Sequence, residues 1–382
     1  MAGIYIHIPF CVKRCIYCDF YSNTCMELKD AYMDALLCEM EIKREEWQDE
    51  DFKTIYFGGG TPSLLHPHEL KKILEGIYRH FSVSSHPEIT LEGNPDDLSC
   101  HYLTSLTTLP INRISIGIQS FDDRELRLLN RRHSVREAID AVMRCNEAGF
   151  TNISIDLIYG LPEQSIAGWT RTIDKAIDLD ISHISAYNLT YEEGTAIYQM
   201  KRNKEINPVD DDECALLYDT LTTKLTGAGF VHYEISNFAR RSARFPSGCI
   251  SLHNSSYWNG TFYLGLGASA HSYNGTSRSW NVSSIREYIS AMRDNTGSFY
   301  ETERLDERAR YNDFVLTRMR TMWGVSLGEL RREFGEARES YFLGKAESFI
   351  SIKKLKIQGD NVKVSPEYYF ISDAIIRELI VL

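Results

Sequence analysis

Six short β-rich runs, each followed by a longer amphipathic stretch, fill the first 230 residues and leave few folds open. The candidate strands are Ile4–Ile8, Thr54–Phe57, Glu88–Glu92, Arg113–Ile118, Asn152–Ile158 and His183–Asn188. Helical patterns lie between and after them at Leu28–Arg44, Pro67–His80, Asp123–Leu129, Val135–Ala148, Ile166–Asp178 and Asp211–Ala228. In Val135–Ala148 the apolar set Val135, Ile139 and Val142 recurs at helical spacing, with Ser134 placed as N-cap and Gly149 as stop. A strand–helix unit repeated in this way predicts a parallel sheet with crossover helices. Six units predict an α/β fold built as a partial (β/α)6 barrel, short of the eight that close a full one. In such folds chemistry gathers at the C-terminal ends of the strands.

Residues 1–236 are read as this barrel, 237–302 as a connecting segment rich in Gly, Ser, Asn and aromatics, and 303–382 as a second domain. The last has helical patterns at Asp306–Met322 and Ser326–Phe334 and a hairpin at Leu355–Val364 around Gln358-Gly-Asp-Asn361, the order of a small α+β, winged-helix-like unit. It is only mildly basic, which favours a structural or docking module over a DNA reader. A net charge of −11 over 382 residues also points away from nucleic acid. No run of eighteen apolar residues and no signal-peptide pattern occurs, so the expected location is cytoplasmic.

Nine cysteines, an odd number, without an export signal favour metal ligation or free thiols over disulfides. Three of them form Cys11-Val-Lys-Arg-Cys15-Ile-Tyr-Cys18 directly after the first strand. Three thiolates on one loop can hold an iron–sulfur cube and leave one iron open to an outside ligand, or hold zinc with His7 as fourth ligand; spacing alone leaves both open. Cys25, Cys38, Cys100, Cys145, Cys214 and Cys249 have no ligand spacing and are expected as small buried apolar groups. Gly58-Gly59-Gly60-Thr61-Pro62 follows the second strand and lets a ligand approach the backbone. Gly265-Leu-Gly267-Ala-Ser-Ala270 fits a relaxed dinucleotide fingerprint, but the residues after it are poor helix formers, so no NAD site is expected there.

The CxxxCxxC spacing, with Tyr17 as the aromatic before the last cysteine and Tyr5-Ile-His-Ile-Pro-Phe-Cys11 leading into it, resembles the radical S-adenosylmethionine (SAM) superfamily. The resemblance runs through essentially the whole chain, to the branch that holds oxygen-independent coproporphyrinogen III oxidases and haem chaperones of the HemW type. It favours the cluster over zinc. It implies a [4Fe-4S] cluster on Cys11, Cys15 and Cys18 and a bound SAM, which the family cleaves to methionine and a 5′-deoxyadenosyl radical. Positions matching the family's SAM contacts are Tyr5, Tyr17, Gly59, Gly60, Thr61, Glu92, Gln119, Arg131 and Asp156. Two acids, an amide and a guanidinium suit a ligand with a sulfonium, an amine, a carboxylate and ribose hydroxyls.

Within the branch the oxidases carry a further cysteine two places after the third ligand, where this chain has Phe20, and an N-terminal extension ahead of the motif. His253-Asn254-Ser-Ser-Tyr257-Trp258 resembles the HNxxYW motif of the haem chaperones, whose histidine is implicated in haem binding. Imidazole is a common axial ligand, and Tyr257 and Trp258 offer flat surface to a porphyrin. The resemblance therefore implies a haem chaperone with haem, apo-haemoproteins and an electron donor such as flavodoxin or ferredoxin as partners; a membrane-associated recipient is compatible with a chain that has no membrane segment. The second reading is oxidative decarboxylation of coproporphyrinogen III.

Overall fold

The computed structural model describes residues 2–241, 249–294 and 299–381; residues 242–248 and 295–298 of the Gly/aromatic-rich segment lie outside the described residues. Six strands run in parallel: β1 (Ala2–Ile8), β2 (Asp51–Gly59), β3 (Ser82–Gly93), β4 (Arg113–Gln119), β5 (Asn152–Tyr159) and β6 (His183–Asn188). Each strand expected from the sequence forms; β1, β2 and β3 are longer than expected, β4 and β5 gain a single residue, and β6 has the expected bounds. The helices Lys29–Lys43, Pro67–His80, Val135–Glu147, Ile166–Asp178 and Asp211–Gly227 follow the expected pattern. Ser134 caps Val135–Glu147 as expected. Its hydroxyl accepts from the Glu137 amide at 3.3 Å and its own amide donates to the Glu137 carboxylate at 2.7 Å.

The Gly/aromatic-rich segment is built into the same sheet. At one edge its β8 (Asn237–Arg240) pairs antiparallel with β6, and β7 (Phe230–Glu234), from just before the segment, pairs antiparallel with β8. On the other edge β9 (Phe262–Leu266) lies parallel to β1, and β10 (His271–Tyr273), β11 (Ser277–Asn281) and β12 (Tyr300–Arg304) continue antiparallel. The order is β12-β11-β10-β9-β1-β2-β3-β4-β5-β6-β8-β7. β1, which ends in the cysteine loop, is therefore an interior strand flanked by β2 and by β9, a strand far along the chain.

A buried carboxylate joins the two halves. Glu39, on the helix after β1 and fully buried, accepts from the Gly267 amide at 2.7 Å, Asn281 Nδ2 at 2.7 Å and the Tyr288 hydroxyl at 2.5 Å. The Gly265–Ala270 segment thus leads from β9 into β10, where a dinucleotide site would need a helix. Its glycines are explained by packing. Gly267 has φ of 100°, and a Cβ there would come within 2.3 Å of the Tyr32 hydroxyl.

The C-terminal unit has helix Glu307–Met319, a helical run Leu327–Ser351 broken at Gly335 (φ 82°), and a sheet of β13 (Val325–Ser326), β15 (Asn361–Val364) and β14 (Leu355–Gln358). Helices followed by a hairpin make it winged-helix-like. It is tied to the barrel where the Met322 amide donates to the Tyr233 carbonyl at 2.9 Å. Among the described residues no helix is long and apolar enough to cross a membrane. The six unassigned cysteines do not share one environment: Cys145 and Cys214 are buried as expected, but Cys38 and Cys100, on outward helix faces, are exposed, and Cys25 and Cys249 lie between.

Candidate functional site

Along the parallel strands, side chains alternate strictly between two kinds. Ile4, Ile6, Ile55, Phe57, Ile89, Leu91, Ile114, Ile116, Ile153, Ile155 and Ile184 are buried on one face. The other carries Tyr5 and His7, Thr54 and Tyr56, Glu88, Thr90 and Glu92, Arg113 and Ser115, Ser154 and Asp156, and His183 and Ser185. Successive strand residues point to opposite sides, so this second set faces the barrel lumen. Near the C-terminal strand ends the lumen opens into a cavity of about 560 Å³. Cys11, Cys15, Tyr17, Cys18, Gly59, Gly60, Thr61, Glu92, Gln119, Arg131 and Asp156 all line it.

The cysteine loop is held at three points. The Cys11 amide donates to the Asn23 carbonyl at 2.9 Å, the Ile16 amide to Leu129 at 3.4 Å, and the Ile197 amide to Ile16 at 3.0 Å. Ile16 and Tyr17 pack on a separate apolar cluster of Leu129, Ile158, Leu161, Leu189 and Ile197. Thr61 Oγ1 donates to Cys11 Sγ at 3.4 Å, and Arg131 Nη1 to Cys15 Sγ at 3.3 Å. Burial pushes the Cys11 thiol up and the Cys18 thiol up to about 11, so both are protonated in the metal-free protein. Among the described residues no three His, Cys, Asp or Glu side chains gather around a single metal position; the thiols line the cavity wall instead of enclosing one ion. His7 cannot complete a zinc site as placed. Its Nε2 donates to the Tyr21 carbonyl at 2.8 Å and its Nδ1 accepts from the Tyr5 hydroxyl at 3.1 Å. Thiolates on a cube each take a different iron and need not converge on one point. The donor set, with a hydroxyl and a guanidinium on two of the sulfurs and open space beyond, fits the cluster.

The remaining lining fits SAM. Glu92 accepts from the Tyr56 hydroxyl at 2.7 Å, and burial, with Asp156 nearby, raises its carboxyl to about 7. Burial likewise raises Asp156 to about 6, against the pull of Arg113; Ser115 Oγ donates to it at 3.4 Å. Two such acids accept a cationic ligand with a gain in their own ionisation. Arg131 also donates to Asn94 Oδ1 at 2.6 Å and to the Gly117 carbonyl, which fixes it at the cavity edge. Gln119 sits at φ 72°, beyond a bulge in β4, and this left-handed turn delivers its amide to the cavity. Gly60 allows the tight return past β1, where a Cβ would lie 2.8 Å from the Ile8 and Phe10 carbonyls.

Two expected residues lie outside the lining. Tyr5 is directed at His7 and stacks at 6.2 Å on Tyr56. His253 is 1% exposed, deeper in the lumen, with Nδ1 hydrogen-bonded to Thr54 Oγ1 at 2.8 Å and Nε2 to the Tyr257 hydroxyl at 2.9 Å. Burial, with Arg113 near, lowers its pKa to about 3. Tyr257 packs edge-on against His253 and Tyr263, while Trp258 borders a separate groove of about 200 Å³ with Arg320 and Tyr369, so the two do not form one flat surface here. Asn254 of the same motif does reach the cavity. Sequence reasoning missed Tyr56, Asn94, Ser115 and Ser185 in the lining, and Arg113 beneath it.

Residues 5–176 match the radical SAM superfamily. The chain is 33% identical over 383 aligned residues to heme chaperone HemW of Mycobacterium tuberculosis, covering 99% of this chain and 94% of that one. It is 34% identical to heme chaperone HemW of Bacillus subtilis, covering 90% and 89%. In fold it resembles coproporphyrinogen III oxidase (HemN) from Escherichia coli, with a TM-score of 0.85 at 21% identity over 100% of this chain and 90% of that one. The chain belongs to the HemW family within the radical SAM superfamily.

Proposed function

We propose that the protein binds haem and delivers it to apo-haemoproteins in the cytoplasm, with a SAM-ligated [4Fe-4S] cluster in the cavity and an electron donor such as flavodoxin or ferredoxin as its reductant. Membership of the superfamily implies the cluster and SAM. The observation that carries the chaperone reading is the similarity over almost the full chain to proteins named for that activity. Phe20 agrees with it: at the place where the oxidases have a cysteine, this side chain is 67% exposed at the cavity mouth.

When bound, the cluster supplies an electron to SAM. The chain's own part is to hold the ligand: Cys11, Cys15 and Cys18 for the cluster, Glu92 and Asp156 for cationic groups, Gln119 and Arg131 for polar and anionic ones. In this reading His253 becomes a haem ligand only after giving up its bond to Thr54 or to Tyr257, so the haem-loaded protein differs from the present structure around Leu252–Trp258.

The test is a haemin titration of the anaerobically reconstituted protein, followed by transfer to an apo-haemoprotein. Saturable binding with a defined Soret band and transfer supports the chaperone. Weakened binding in His253→Ala supports ligation there, and unchanged binding removes His253 from the haem site. Absent transfer, together with oxidation of coproporphyrinogen III in the presence of SAM and reductant, overturns the chaperone in favour of the oxidase.

A further inference from the structure

We propose that His253 is a positioning residue for the SAM cavity, whose ring holds the Tyr56 phenol against the Glu92 carboxylate. The inference rests on the reading of the cavity as a SAM site. The His253 ring stacks on Tyr56 with centroids 4.9 Å apart and planes 23° apart, and lies 6.5 Å from Tyr5. Tyr56 in turn donates to Glu92 Oε1 at 2.7 Å. The chain of contact runs from the HNxxYW motif to the cavity wall through one aromatic ring.

His253 is unusually well fixed for this task. Both ring nitrogens are engaged, and its backbone amide donates to Glu88 Oε1 at 3.0 Å. The preceding amide, Leu252, donates to the other oxygen of the same carboxylate at 3.1 Å. Glu88 belongs to β3, the strand that carries Glu92, so the brace and the acid share one scaffold. Beside it in the sheet, Tyr5 pairs in register with Tyr56 at 6.2 Å and also touches the His253 ring at 6.5 Å, and at Gly58 a Cβ would come within 2.9 Å of both tyrosine rings. The phenol is thus packed into a three-ring cluster, stacked on His253 and flanked by Tyr5, with its hydroxyl on the acid. A histidine that is buried, neutral and hydrogen-bonded at both nitrogens supports a neighbour without adding charge to a cavity built for a cation.

The consequence is directional. The Tyr56 bond stabilises ionised Glu92, so a loosened phenol raises the Glu92 pKa further and weakens binding of a cationic ligand on the acid side. The charged and titratable groups facing Glu92 are Tyr56, Asp156, Arg113, Tyr5, Tyr257 and Tyr187; substituting His253 frees the Tyr56 ring and the Tyr257 hydroxyl, and leaves Asp156, Arg113 and Tyr187 with their own side chains unchanged.

The experiment has two arms. In cluster-free protein, the carboxyl titration of Glu92 is followed by carbon-13 NMR. In reconstituted protein, SAM affinity is measured by equilibrium dialysis between about pH 5.5 and 8.5. His253→Ala and Tyr56→Phe are each expected to move the Glu92 midpoint upward and to weaken SAM by about tenfold near neutral pH. The double variant is expected to bind no more weakly than Tyr56→Phe alone, because both changes remove one interaction. His253→Phe, which restores the ring, recovers most of the affinity. If His253→Ala loses its fold by circular dichroism, His253→Gln removes the ring, keeps polar groups for Thr54 and Tyr257, and carries the same expectation. An unmoved Glu92 midpoint, or losses that multiply in the double variant, overturns the positioning role. A moved midpoint with no SAM binding in the wild type overturns the SAM reading of the cavity instead.

Discussion

The two faces of the parallel sheet are made by the same strands yet obey opposite rules. The helix-covered face is isoleucine, leucine and phenylalanine at nearly complete burial, from Ile4 on β1 to Ile184 on β6. The lumen face is buried over most of its length and half-buried at Tyr5, Glu92 and Asp156, but it is Thr, Ser, Tyr, His, Arg, Asp and Glu, and its polar groups are incompletely paired. Thr90 Oγ1 and all three nitrogens of Arg113 have no hydrogen-bond partner among the described residues, although Arg113 is 1% exposed. One face stabilises the fold through apolar burial. The other gives up part of that gain to keep charge and hydrogen-bonding capacity at the floor of the cavity.

The sharpest separation is expected on the loop that belongs to neither face. Cys11→Ser, Cys15→Ser and Cys18→Ser should each abolish the cluster chromophore while far-ultraviolet circular dichroism stays close to wild type, because the loop rests on its own apolar patch. A collapsed circular dichroism spectrum in all three would mean that loop and barrel are not separable.

On the helix-covered face, Ile155→Ala removes a fully buried side chain and is expected to cost about 2–5 kcal/mol in denaturant unfolding, leaving SAM affinity of the folded protein unchanged. A loss of affinity larger than the loss of stability would break the division of labour between faces.

On the lumen face the expected signature is in pH. Glu92 and Asp156 have folded pKa values above their unfolded ones, so the ligand-free fold binds extra protons there. Their contribution to stability is complete below an unfolded pKa of about 4 and is lost as pH rises through about 6 to 7. The unfolding midpoint of the wild type should therefore fall more steeply over that window than that of Glu92→Gln. SAM affinity should rise over the same window as the acids ionise.

The smallest effect on stability is expected for Arg113→Met. Arg113 makes no hydrogen bond among the described residues and acts only as a counter-charge to Asp156 and Glu92, whose own protonation offsets its loss, so the change should alter folding by no more than about 1 kcal/mol while the acidic limb of SAM binding moves to higher pH. Destabilisation well beyond that would show that Arg113 is structural and that the lumen is not reserved for the ligand.

This contrast also explains what the sequence made legible. The six strands stood out because their helix-facing positions repeat Ile and Leu between long amphipathic helices. The cysteine motif and the residues at the strand ends stood out because a family pattern names them. The lumen face was equally written, since Thr54 and Tyr56, Arg113 and Ser115, Ser154 and Asp156 alternate with apolar residues at period two. Parallel strands covered on both sides usually read as continuous apolar runs, so that alternation was the available signal for Tyr56, Ser115 and Ser185. Helices Cys100–Leu106 and Ala196–Arg202, seven residues each, are too short for a periodic pattern. Strands β8 to β12 have three to five residues and pair by tertiary context. The place of His253 was out of reach because its partner Thr54 lies 199 residues away.

The interior position of β1 has a consequence for the timing of synthesis. The cysteine loop is synthesised about 250 residues ahead of β9 (Phe262–Leu266), and the strand that carries it gains its second neighbour only when β9 emerges. At a translation rate of roughly 5–20 residues per second, that interval is about 13–50 s. Through that interval three thiols sit beyond a strand with one open edge, and β1 reaches its interior place in the sheet only once β9 has closed that edge.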